Sequence, residues 1–125
     1  MNNLKFRVWD KTNKEMLNID ILNLFLEEVV VLENDGSAFS MKFKDVELMQ
    51  STGLFDKNGK EIFEGDILKT RTRGYVIVRK ENGNTMTTYK SGINKRTSLV
   101  LSSFLEKYQV KIVGNIYENK DLLEE

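Results

Sequence analysis

The sequence predicts a mainly β fold: a small SH3-like barrel over about 64–117, a β-rich N-terminal lobe, and one or two short helical turns. Three observations carry this. About eight short segments alternate apolar and polar residues. Turn signals separate them at near-regular spacing, among them Asp35-Gly36, Asn58-Gly59 and Asn82-Gly83. There is no proline, so glycine, asparagine and aspartate must make the turns.

In chain order, Leu4 to Trp9 alternates strictly, with Leu4, Phe6 and Val8 on one face. It reads as a half-buried strand, with Glu15 to Leu17 returning as its hairpin partner and Trp9 as a packing anchor. Residues 18–28 fit either a short helix or a strand. Val29 to Leu32 is β-branched, and Asp35-Gly36 joins it to Ala38–Phe43 as a hairpin. Val46 to Thr52 continues extended until Gly53 breaks or bulges it. The chain then closes around Asn58-Gly59, where two positive-φ residues suit a type I′ turn. Gly65 and Asp66 make a tight corner into a strand over 66–72, joined across Arg73-Gly74 to a second over 75–80. A third runs from Thr85 to Lys90. Residues 91–97 read as an exposed loop. Residues 99–108 lie near helical spacing, and Ser103 with Glu106 fits a capping box. Val110 to Tyr117 is the last strand. Gly114 marks a bulge or close backbone approach within it, and Asn119 a cap for the terminal turn.

No linker composition divides the chain. The expectation is one domain over 1–125 with a contiguous core, comprising a lobe at 1–50 and the barrel with its C-terminal turn at 51–125. Gly53, Asn58, Gly59, Gly65, Asp66 and Gly114 are its structural turn residues.

Composition narrows the chemistry. With no cysteine and no histidine among 125 residues, this chain can form no disulfide, thiolate nucleophile, cysteine-bound zinc or imidazole base. Asp56, Glu61, Glu64 and Asp66 lack calcium-loop spacing, and Asp56 and Asp66 read as acceptors of backbone N–H groups in turns. No catalytic residue, cofactor or metal is expected, and the protein is expected not to be an enzyme. Met1 to Lys5 passes straight into alternation and no long apolar window occurs, so a cytoplasmic protein without a membrane contact is expected.

Net charge is zero but segregated. From Ile67 to Val100 eight basic residues face the single acid Glu81, a net of +7 that leaves −7 elsewhere. Lys69, Arg71, Arg73, Arg79, Lys90, Lys95 and Arg96 are therefore the candidate face for a polyanion or a partner. Lys69, Arg71 and Arg73 would share one side of a strand, with Tyr75 and Tyr89 available for stacking. Two functions follow. The first is a homo-oligomeric protein-interaction module, binding itself or another protein. The alternative is a nucleic-acid-binding accessory protein using the basic strands 67–96.

Four segments, taken together and in this order, are specific: residues 5–11 (Lys-Phe-Arg-Val-Trp-Asp-Lys), 48–62 (from Leu48-Met49-Gln50 through Asn58-Gly59 to Ile62), 64–68 (Glu-Gly-Asp-Ile-Leu) and 113–119 (Val-Gly-Asn-Ile-Tyr-Glu-Asn). Their combination resembles the YopX family of phage and prophage proteins. The resemblance implies a mainly β fold with an SH3-type barrel, expression in the cytoplasm of a bacterial host, and self-association. It brings no catalytic residues.

Overall fold

A computed structural model describes residues 5–93 and 95–123. Leu4, placed by alternation on the first strand, and Asn94, placed in the 91–97 loop, lie outside the described residues. The chain divides into two compact units, Met1–Gln50 and Ser51–Glu125. Each has its own cluster of buried apolar side chains, where the sequence predicts one contiguous core.

In the first unit, β1 (Phe6–Asp10) and β2 (Glu15–Asn18) form the expected antiparallel hairpin, pairing Val8 with Leu17 and half-buried Trp9 with Met16. The Asp10 carboxylate closes its turn, accepting from the Thr12 and Asn13 amides at 3.0 and 3.2 Å. The ambiguous segment resolves as extended. β3 (Ile21–Asn23) pairs with β4 (Glu28–Leu32), which pairs in turn with β5 (Ala38–Lys42). Two things favour strand over helix here. The β-branched run 29–31 offers a partner ladder, and Asn23 Oδ1 accepts the Leu26 amide at 2.9 Å, closing a tight turn. Val8, Val29 and Val46 form the buried cluster, with Leu17, Leu22, Met41 and Phe43 packed against it.

A 3-10 turn (Phe43–Asp45) leads into β6 (Val46–Phe55). Its first half pairs with β1, Val8 lying opposite Leu48. Its second half belongs to the second unit and pairs with β7 (Glu61–Phe63) across a register shift between Ser51 and Phe55. Gly53 sits within that shift.

The second unit is built on a curled antiparallel sheet in the order β11-β10-β9-β8-β12, consistent with the small barrel expected over about 64–117. Its strands are β8 (Asp66–Thr70), β9 (Gly74–Glu81), β10 (Asn84–Gly92), β11 (Lys95–Val100) and β12 (Lys111–Asn115). Helix α1 (Leu101–Lys107) lies between β11 and β12 in the chain. Leu68, Val76, Val78, Leu101, Phe104 and Val110 are buried together with Ile62 and Tyr89. Each such side chain contributes roughly 1.5–3 kcal/mol on burial.

Four local expectations are corrected. The first strand of the barrel stops at Thr70, because Thr70 Oγ1 accepts the Arg73 amide at 2.7 Å and closes a turn over 71–73. Residues 91–97 are mostly paired rather than loop, with Gly92 opposite Lys95 and Lys90 opposite Arg96. The helix begins at Leu101, ahead of Ser103, with Val100 at its N-cap and no side-chain cap, so the Ser103 capping box does not form. At Asn58-Gly59 only the glycine has positive φ (81°), so the turn is not type I′. The type I′ signature falls at Asn82 (φ 53°) and Gly83 (φ 83°), the two-residue link between β9 and β10.

The Asn58 turn differs because Asp56 organises it. Asp56 is only 7% exposed. Its Oδ1 accepts the Asn58 and Lys60 amides at 2.9 and 2.8 Å, and its Oδ2 accepts the Ile112 amide of β12 at 3.0 Å. Burial pushes its pKa up, but these amides and nearby Lys60 outweigh burial and hold it below the ordinary carboxylate value. Asp66 acts likewise at the next corner, accepting the Phe63 amide at 2.8 Å.

Candidate nucleic-acid interface

Strand alternation divides the five-stranded sheet into two faces. One carries Leu68, Val76, Val78, Thr87, Tyr89 and Leu99 toward the buried cluster. The other carries Lys69 on β8, Tyr75 and Arg79 on β9, Lys90 on β10, Arg96 on β11 and Lys111 on β12.

Register lines five of these residues up. Arg96 lies opposite Lys90, Lys69 opposite Tyr75, and Lys111 opposite Lys69. β9 and β10 pair Val76 with Tyr89, so Tyr75 and Lys90 are the next opposed positions. The row Arg96–Lys90–Tyr75–Lys69–Lys111 thus crosses all the strands of the sheet. Four interstrand spacings of roughly 4.8 Å make it about 19 Å long. All four cations are exposed and Tyr75 is half-buried. Lys69 Nζ lies 4.8 Å from the Tyr75 ring centroid. Like charges directly opposite one another destabilise a sheet, and the row contains two such pairs. An anion laid along it would turn that repulsion into attraction.

The β8–β9 turn, with Arg71 and Arg73, and Lys95, the first residue of β11, lie at this same end of the sheet. Arg71 and Arg73 are therefore turn residues and do not share a strand face with Lys69. Arg73 bends toward the core side. Its Cζ lies 5.6 Å from both the Tyr89 and Tyr108 ring centroids, and its Nε donates to the Tyr108 hydroxyl at 3.0 Å. That hydroxyl raises the guanidinium pKa further. Tyr89 is buried beneath it at 6% exposure, so it is no stacking platform, contrary to the sequence expectation. Arg71 lines an open cleft of about 230 Å³ with Thr70, Thr72, Lys107, Tyr108 and Gln109.

Arg79 is separate from the row. It lies on the same face, but toward the other end of β9 opposite Met86, and pairs with Glu81 at 3.1 Å. Lys111 is the residue that sequence reasoning missed. It lies outside the basic segment, and only the pairing of β12 with β8 brings it beside Lys69.

The four acids considered as a metal loop are dispersed into local contacts. Asp56 and Asp66 accept backbone amides, Glu61 accepts the Ser51 hydroxyl, and Glu64 pairs with Lys80 at 3.5 Å. Of the turn residues, Gly65 donates to the Val78 carbonyl at 2.8 Å. Gly114 lies so near Asn119 that a Cβ would overlap that side chain. No helix among the described residues is long and apolar enough to cross a membrane.

No curated protein matches the chain. Among solved structures, the crystal structure of protein EF1440 from Enterococcus faecalis is similar, with a TM-score of 0.65 and 28% identity. The match covers 99% of this chain and 100% of that one. The family described as YopX protein matches residues 5–124, nearly the whole length, and the chain belongs to it.

Proposed function

We propose that this protein is a non-enzymatic accessory protein of a phage or prophage that binds nucleic acid in the host cytoplasm through the basic end of its five-stranded sheet. The sequence alone puts self-association first. The single observation that reverses the order is the row of four exposed cations brought into register across the sheet. Phosphate binding releases counterions, so affinity must fall with salt. Fluorescence anisotropy of a labelled nucleic acid against KCl tests this. Four phosphate contacts predict a slope of log K on log salt of about −3 to −4, and the Lys69→Gln, Arg96→Gln double variant should flatten it by about 1.5–2. No binding of any polyanion at low ionic strength sinks the proposal.

A second reading, a homo-oligomeric module, is supported by the turn between β3 and β4. There Leu24, Phe25 and Leu26 are 71%, 93% and 51% exposed. Such a cluster of apolar side chains is what an interface buries.

A further inference from the structure

Resting on the polyanion reading above, we infer that the ligand of this face is single-stranded nucleic acid, laid across the strands along Arg96, Lys90, Tyr75, Lys69 and Lys111, with one base stacked on Tyr75. The order of the row is the argument. Two cations lie on each side of a single aromatic ring. The flanking pairs suit a backbone running across the sheet, and the central ring suits a base. In a duplex the bases are stacked on one another and present only edges and phosphates, so the ring would find no face to meet. An unpaired base has a free face, and sequence-tolerant stacking on aromatics beside basic side chains is the usual way small β folds hold single strands. Lys69 already sits over the Tyr75 ring at 4.8 Å. Its flexible stem allows the ammonium to move from the ring to a phosphate as a base arrives. The row, about 19 Å long, accommodates about four nucleotides, the lower end of such sites. Tyr89 and Tyr108 do not extend the platform, because both are engaged with Arg73 on the opposite side.

The test measures anisotropy at low salt with three probes, each with the full chain: labelled oligothymidylate of about 20 nucleotides, a mixed-sequence duplex of equal length, and heparin as a polyanion without bases. The single strand is expected to bind at least about tenfold more tightly than the duplex. Tyr75→Leu should weaken single-strand binding roughly 5- to 150-fold while sparing heparin, and Tyr75→Phe should bind like the parent. Lys111→Gln should weaken all three probes and flatten the salt slope by about one. Thermal melts of each variant establish that it is folded. If the duplex binds as tightly as the single strand, or Tyr75→Leu costs nothing, this inference fails while salt-dependent heparin binding keeps the polyanion reading. If no probe binds, both fail.

Discussion

Asp56 shows how much one buried carboxylate can organise. Its two oxygens take three backbone amides, two within its own turn and one from β12, far along the chain. Its role as an acceptor in the turn was legible, because an aspartate entering a turn, here two residues ahead of Asn58-Gly59, commonly bonds the amide two residues on. The Ile112 contact was not, since nothing local specifies a partner 56 residues away. Removing the acceptor leaves part-buried amides without their partner, so Asp56→Ala should cost about 1–3 kcal/mol in urea unfolding. The pH dependence follows from its lowered pKa. The unfolded carboxyl, near the ordinary 3.8, binds its proton before the folded one does. The contribution is therefore fully present above the ordinary value and is lost as pH falls through the folded value below it. Unfolding followed from pH 6 to 2 should show a steeper acid loss in the parent than in Asp56→Asn. Equal slopes would assign the loss to other carboxylates.

At the scale of the element, the exit of β12 is fixed by two asparagine side chains. Asn115 Oδ1 accepts the Tyr117 and Glu118 amides at 3.0 and 2.9 Å, while Asn119 Oδ1 accepts the Asn115 amide at 3.1 Å. Asn119 therefore turns its side chain back to the strand, while its carbonyl accepts the Leu122 amide at 3.0 Å and so sits at the N-cap position expected for the terminal 3-10 turn (Lys120–Leu123). The room for this comes from Gly114, next to a register shift between Ile112 and Gly114. Gly114→Ala should displace the Asn119 side chain and cost about 1–3 kcal/mol. Adding Asn119→Gly should make the combined loss smaller than the sum of the two single losses, because the overlap is then relieved. Strict additivity in a double-mutant cycle would dismiss the close-approach account. The bulge or close approach was legible from a glycine inside an alternating strand. Its partner was not.

For the whole molecule, the segregation of charge is the feature with consequences. The +7 segment forms β8 to β11, and register concentrates most of its cations at one end of their sheet. In the first unit the Leu24–Leu26 turn is followed directly by Glu27 and Glu28. An apolar tip beside acidic side chains complements a basic surface on a second copy. If that contact forms, light scattering at tens of micromolar should give a mass above 14.5 kDa. Phe25→Ser should lower that mass, and so should added salt. A parent protein that is strictly monomeric at that concentration would remove the self-association reading and leave nucleic-acid binding untouched.

The sequence by itself determined the class of the fold, the hairpins with two-residue or Asp-Gly signals, and the family, because each depends on local spacing and on short distinctive segments. It also located the excess of basic charge. Only the tertiary structure decided which of those cations meet. Side-chain period in a strand says which face a residue occupies once the strand ends are known. Here the Thr70 hydroxyl ended a strand early and sent Arg73 to the other side. Antiparallel register then carried Lys111 next to Lys69 and set Arg96 against Lys90. Those pairings depend on which strands are neighbours, a long-range choice made by burial of Leu68, Val76 and Phe104, and no local pattern encodes it.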